Sequence, residues 1–422
     1  MISELKKRNV IKLFLLLIFT LNNSVFAGVL KQEPDCKKVL TLDSGYFGNA
    51  PSNRGRYKFA NNIEDMNSCI FNKIDQWISP KGEDNSSSRT LTFALGGFIN
   101  YYSHYALEFT LHEFGHRGRD IALGSYYEWQ ERSEVPHLFY LQTLFTPEIH
   151  TSDELGDDES ISINFQLPNN IDTNSLDWEM NAVAAGFTAG TKLSGIVADR
   201  MYYGHGKVTD FFAYSHDKLF PAMYDLFFDS VTGEANEGDV ADLARFYEIK
   251  GWDIKSHDIV KASLISYFLS ASTYSYITGI SSFINGGNRK PKSLEYYHFR
   301  LPDVQAFYER GISYKIISGY RVNDSFDIPF SIEQVLNGEK QTEYSIGLNI
   351  QLNDKYHIAG QYILGKKSQG SFTLSSQFSN NIIVYAGIEY NEIRNIEGAR
   401  NISSLEFGSH DAEFFLGYEY FF

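Results

Sequence analysis

Two histidines four residues apart, His112 and His116, enclose Glu113 in the run His112-Glu113-Phe114-Gly115-His116. On a helix, positions four apart share a face, so two imidazoles at this spacing can grip one metal ion. A carboxylate directly after the first histidine can then act as general base toward a metal-bound water. The chemistry such a set performs is hydrolysis, with Zn2+ the expected metal. Zinc in a hydrolytic site takes three protein ligands and leaves a fourth position for water, so a third donor must come from elsewhere in the chain.

The run has to sit on a helix, and the residues before it allow one. Tyr105 to Leu111 contains neither Pro nor Gly. Leu107, Leu111 and Phe114 recur at spacings of four and three, which marks one apolar stripe. Gly115 costs a helix interior about 1 kcal/mol against Ala, and is understandable where a neighbouring backbone passes close. The third donor is expected from Asp177-Trp178-Glu179-Met180-Asn181-Ala182-Val183, where Glu179 opens a helical stretch continued by Ala182, Val183 and Gly186. His205, in a Gly-flanked stretch, is the candidate to stabilise the oxyanion that forms when water attacks an amide. His137, Arg117 and Arg119 are lesser candidates for that role, and Asp199 and Asp210 are alternative ligands or supporting groups.

His112-Glu113-Phe114-Gly115-His116 followed by Glu179-Met180-Asn181-Ala182 resembles the gluzincin zinc metallopeptidases, and most of all the HtpX and CAAX prenyl protease group. There the second motif is Glu-x-x-Ala-Asp; Glu179 and Ala182 match it, and Val183 stands in place of the Asp. The resemblance implies His112, His116 and Glu179 as zinc ligands, Glu113 as catalytic base and a zincin-like helical domain.

The start of the chain reads as a secretory signal over residues 1–27. Lys6, Lys7, Arg8 and Lys12 precede the apolar run Leu13–Phe19, and Val25-Phe26-Ala27 supplies the small residues of a cleavage site. The whole 422-residue chain carries a net charge of −15, and this basic start makes the remainder more acidic still. That argues against nucleic acid as a partner. The two cysteines, Cys36 and Cys69, both follow the signal, so an oxidising compartment is expected to join them.

The end of the chain alternates. Phe414, Leu416, Tyr418, Tyr420 and Phe422 share one face, opposite Glu413, Gly417 and Glu419. The same period recurs in Tyr344–Leu352, Phe372–Phe378 and Ile382–Tyr390, separated by turn residues at Asn353-Asp354, Lys366–Gln369 and Asn380-Asn381. Segments of about ten residues with one apolar and one small or polar face fit strands that meet lipid outside and a polar lumen inside. The aromatic terminus resembles the last strand of bacterial outer-membrane barrels, which implies recognition by the barrel-insertion machinery. Between these ends, Ile259–Ile284 is moderately apolar but diluted by Lys261, Ser and Tyr, and is expected to form a buried core helix. Residues 151–160 form an acidic solvated loop.

These readings give an α+β chain. Residues 28–89 form an N-terminal segment, residues 90–285 a mostly helical metallopeptidase-like domain, residues 286–302 a linker, and residues 303–422 an antiparallel transmembrane barrel of about eight strands. The expected activity is a zinc peptidase acting on protein or peptide substrates near the outer membrane, its enzymatic domain in the periplasm. The alternative is a non-enzymatic outer-membrane barrel (adhesin, channel or binding surface) with a helical accessory module.

Overall fold

A computed structural model describes residues 39–43, 53–78, 85–122, 126–128, 164–166, 175–227, 238–323, 325–353, 355–365, 368–379, 382–391 and 412–421. The expected signal at residues 1–27, the expected acidic loop at residues 151–160, Cys36, His137 and Phe422 lie outside these residues. The described part opens with β1 (Val39–Asp43), α1 (Asn53–Ile78) and α2 (Ser86–Ala122), followed by a short hairpin of β2 (Tyr126–Glu128) and β3 (Asn164–Gln166). The helices α3 (Ser175–Tyr202), α4 (Asp210–Phe227), α5 (Asp239–Ile249), α6 (Ser256–Phe268) and α7 (Ala271–Gly286) come next. The strands β4 (Glu295–Tyr296), β5 (Phe299–Phe307), β6 (Gly311–Asn323), β7 (Phe326–Gly338), β8 (Thr342–Asn353), β9 (Tyr356–Leu364), β10 (Ser368–Ser379), β11 (Ile382–Asn391) and β12 (Ala412–Phe421) complete it.

The helices begin and end where their residues dictate. Asn85 caps α2: its side-chain oxygen accepts the backbone N–H groups of Ser87 and Ser88, each at 3.0 Å. α7 stops at Gly287, which takes the left-handed conformation (φ 75°) that lets the last turn close. The expected single helix over Ile259–Ile284 is two, α6 and α7, divided at Leu269-Ser270.

The main core joins helices to strands. Met180, Ala184 and Phe187 of α3 pack with Phe220 of α4, Leu243 and Tyr247 of α5, and Ile259 and Ala262 of α6. Ala306 of β5, Tyr308 just after it, and Ile312 of β6 complete the same cluster. The expected linker at 286–302 is therefore no physical boundary: it carries β4 and the start of β5, and the first hairpin of the sheet belongs to the helical core. The N-terminal segment is divided too, with β1 in the sheet and α1 packed on α2.

Strands β4 to β12 form an antiparallel sheet in sequence order, and β1 adds to the outer edge of β12. Eight long strands, β5 to β12, lie where about eight were expected; of the anticipated turn residues, Asp354, Lys366, Lys367, Asn380 and Asn381 lie outside the described residues, and Ser368 and Gln369 belong to β10. Register places Ile316, Ile332, Tyr344 and Leu364 side by side on successive strands, all exposed. Leu374, Ala386 and Leu416 form another such row. On the opposite face Ser331 pairs with Ser345, and Gln361 pairs with Ser371. This sheet turns its apolar face outward, the reverse of a sheet that covers a water-excluded core.

The expected closed barrel is not found among the described residues. The ends of the sheet are β1 and β4, and they do not pair with each other. The physical reason lies at β5. Its outer edge is taken by helix side chains: the Val304 N–H donates to Ser270 Oγ (3.0 Å), Thr191 Oγ1 donates to the Ala306 carbonyl (3.0 Å), and Lys218 and the Tyr247 hydroxyl donate to the carbonyls of Val304 and Tyr308. A backbone edge already satisfied in this way has no ladder left to offer another strand.

Candidate functional site

α2 is one continuous helix of 37 residues, and positions 112–116 lie inside it as the pattern requires. His112 and His116 are thus one turn apart on a single helix. The side chains of Glu113, His116 and Glu179 lie outside the described set, whereas that of His112 is described and is buried. Its ring is surrounded by Phe187, Phe220 and Tyr224, with ring centroids 5.2–5.8 Å away. Asp239 at the start of α5 reaches the ring, its carboxylate 2.8 Å from His112 Nε2.

Gly186 makes that position available. A Cβ built there would fall 2.4 Å from Cε1 of His112, so only glycine lets the ring lie against α3. The sequence anticipated a close approach at Gly115, whose surroundings lie outside the described set; a close approach is described at Gly186, seven residues after Glu179.

The two helices run in opposite directions. Asn100 of α2 reaches Glu64 of α1, and Arg200 of α3 pairs with the adjacent Asp65 at 2.8 Å, while twelve residues further along α2 His112 meets Gly186. Moving forward along α2 therefore means moving back along α3. His116 and Glu179 belong to the same end of this helix pair, with Glu179 in the second turn of α3. His205 does not. It is exposed, beyond the C-terminus of α3, and from Gly186 to Tyr202 that helix rises about 24 Å. The structure does not bring His205 to His112. Asp199 is bound to Arg300, and Asp210 accepts the Lys207 N–H at 2.9 Å, so neither serves the His112 pocket.

A second polar group, unforeseen from the sequence, lies two turns earlier on α2. His104 is fully buried between two carboxylates: Nδ1 is 2.7 Å from Glu64 and Nε2 is 2.6 Å from Asp217 of α4. His216 stands beside Asp217, and Tyr101 and Tyr105 meet its ring edge-on. Burial works to raise the Glu64 carboxyl, but the charge and hydrogen bond of His104, with Arg200 and Asn100, hold it below the ordinary carboxylate range. Asp210 goes the other way: burial, and then the nearby Glu64 charge, push it up to about 7 against the pull of Arg200 and Lys207. The available signal was the series His104, Glu108, His112 and His116 at intervals of four, which extends the motif face backward along α2.

The donors at His112 are of the kind zinc takes, an imidazole and a carboxylate from different elements. Among the described residues no group of three or more His, Cys, Asp or Glu is arranged to hold a metal ion. Asp239 is a donor that the sequence offered no means of finding, because it lies 127 residues from His112 with no motif around it. Cys69 is buried in α1 and is not a free thiol. No protein-family model, curated protein or solved structure matches the chain.

Proposed function

We propose that this protein is a zinc-dependent peptidase of the bacterial envelope, held at the outer membrane by its C-terminal sheet. The observation that carries the hydrolase reading is the meeting of His112 Nε2 with the Asp239 carboxylate at 2.8 Å, on a helix that bears His116 one turn further. A histidine that ligates a metal needs its ring fixed by its surroundings, and Phe187, Phe220 and Gly186 fix this one. His112 and His116 would hold the metal, with Glu179 or Asp239 as the carboxylate donor. Bound zinc would supply a water of lowered pKa and a Lewis acid for the scissile carbonyl. The Glu113 carboxylate would take the proton from the attacking water and hand it to the leaving amine. The strongly acidic chain favours protein or peptide substrates over nucleic acid.

The outward apolar face of β5 to β12 supports the membrane reading. Rows such as Ile316, Ile332, Tyr344 and Leu364 would cost solubility in water and cost nothing in lipid. A second reading is favoured by one feature: His112 is only 1% exposed and Asp239 holds its Nε2, which suits a purely structural histidine in a non-enzymatic envelope protein.

Zinc analysis of the purified full chain, paired with hydrolysis of a denatured protein, separates the two. The peptidase reading expects about one zinc per chain, lost in His112→Ala and kept in Glu113→Gln, with hydrolysis abolished in both. Metal-free wild-type protein whose envelope phenotype survives Glu113→Gln would leave only the structural reading.

A further inference from the structure

α6, α7 and their junction bury small hydroxyl residues beside Ile259, Tyr267, Tyr276 and Phe283, and turn a group of bulky apolar residues outward. Ser263, Ser266, Ser270, Ser272, Thr273 and Ser275 are buried. Leu264, Ile265, Phe268, Leu269, Tyr274 and Ile277 are 38–64% exposed. A helix on the surface of a water-soluble bundle buries its apolar stripe instead. Small hydroxyl residues toward the protein and bulky apolar residues away from it is the arrangement helices adopt against hydrocarbon, where close packing, not burial of apolar area, holds them together.

Two exposed hydroxyls of α7 turn to the backbone. The Tyr274 hydroxyl donates to the Phe268 carbonyl at 2.9 Å, and Thr278 Oγ1 donates to the Tyr274 carbonyl at 2.9 Å. Both hydroxyls satisfy themselves on the helix backbone, as a medium without water demands.

The position of these helices gives the pattern a purpose. Ser270, at the junction of α6 and α7, is the residue whose hydroxyl occupies the open edge of β5 at Val304. Val304 lies directly across from Ile316, whose side chain belongs to the outward apolar rows of the sheet. Phe268 and Leu269 therefore stand next in line to those rows. From there the contacts continue without a break: α7 packs on α2, α2 on α1, and α1 on β1, the far edge of the sheet. Along α2 the exposed residues Leu91, Leu95, Phe98 and Tyr102 repeat at spacings of four, three and four, one stripe of a helix face.

We infer that α6, α7 and the first half of α2 complete the lipid-facing wall that the open sheet begins, and that the acyl chains of the bilayer cover their apolar face. This rests on the outer-membrane reading of the sheet and adds to it a wall part strand and part helix. No helix among the described residues is long and apolar enough to cross a membrane alone, and none needs to, because only one face meets lipid. The 16 residues of α7 reach about 24 Å, close to the apolar band of about 25 Å on outer-membrane sheets. An open sheet edge does not survive in hydrocarbon, and side chains of α3, α4, α5 and Ser270 at the α6–α7 junction cover it at Val304, Ala306 and Tyr308.

Nitroxide labels test this in the full chain reconstituted into phosphatidylethanolamine and phosphatidylglycerol vesicles. Labels are placed through Leu269→Cys, Ile277→Cys and Phe98→Cys, with Leu374→Cys as the sheet reference and Arg245→Cys on α5 as the water reference. Collision with apolar oxygen is compared with collision with a water-soluble nickel chelate. The expected result is an oxygen-dominated ratio at all three helix positions, matching Leu374→Cys and shifted well away from Arg245→Cys. A water-like ratio on the helices with a lipid-like ratio at Leu374→Cys overturns the mixed wall and leaves the sheet reading standing. A water-like ratio at Leu374→Cys as well defeats both. Helix labels shielded from both reagents also overturn the inference, since a protein partner or second copy would then cover the face. If one variant misfolds by circular dichroism, the remaining helix positions carry the result.

Discussion

α3 and β8 both place apolar residues on one side and polar or small residues on the other, yet they bury opposite halves. α3 turns Met180, Ala184 and Phe187 into a core shared with five other elements. β8 turns Tyr344, Ile346 and Leu348 outward, and sets Ser345, Gly347 and Asn349 against the inside of the sheet. The difference shows that amphipathic pattern specifies a face but not its solvent. In the helical core, water is the phase to escape. On the sheet, and on α6 and α7, the outward side exposes Leu and Phe, which under the proposed membrane reading meet a phase that accepts them and rejects an unpaired hydroxyl.

The contrast breaks most sharply at Phe187. Phe187→Ala empties a fully buried ring position among His112, Phe220 and Tyr308, and a destabilisation of about 3–5 kcal/mol is expected in denaturant unfolding. The companion change Phe372→Ala, on the outward face of β10, is expected to cost well under half as much; equal losses would erase the distinction between the two faces.

Next in size is Ile346→Arg. On a water-facing strand an exposed substitution of this kind stays within about 0.5 kcal/mol. Facing hydrocarbon, an arginine near the midplane costs about 2–4 kcal/mol, with a matching drop in the fraction recovered in outer membranes. Wild-type fractionation and stability for Ile346→Arg would contradict the lipid assignment of this face.

The smallest effect sharpens the interior of the helical region. Asp210, raised to about 7 when folded, holds its proton more tightly there than in the unfolded chain. Its contribution to stability is therefore present below the unfolded carboxyl range and is lost as pH rises through about 7. Glu64 is lowered, so its contribution has the opposite sign and is lost as pH falls through its folded value. Asp210→Asn keeps an acceptor for the Lys207 N–H and removes the titration. Its stability relative to wild type should grow from pH 4 to pH 7 in unfolding titrations, whereas two parallel curves would remove Asp210 from the pH response.

Much of this was legible from local spacing. Alternation at period two identified the C-terminal strands and their faces, because the pleat makes residue identity and side directly equivalent. A run free of Pro placed His112 to His116 on a helix. The same reasoning failed over Ile259–Ile284. Its apolar content suggested a core helix; Ile259, Ala262, Tyr267, Tyr276 and Phe283 are buried, but serines share that side while Leu264, Ile265 and Phe268 face outward, and counting apolar residues does not reveal which side each takes. It failed also for His205, whose glycine neighbours invite a catalytic loop while the length of α3 carries it away from His112.

The chain's own order determined the elements, the outward rows of the sheet and the presence of two imidazoles one turn apart, since each depends on neighbours within four residues. Tertiary structure alone decided that Asp239 meets His112, that Glu64 and Asp217 enclose His104, and that Ser270 rather than another strand takes the edge of β5. Those partners are separated along the chain by 127, 40, 113 and 34 residues, and at such distances only the packing of whole elements determines which polar groups share a buried space.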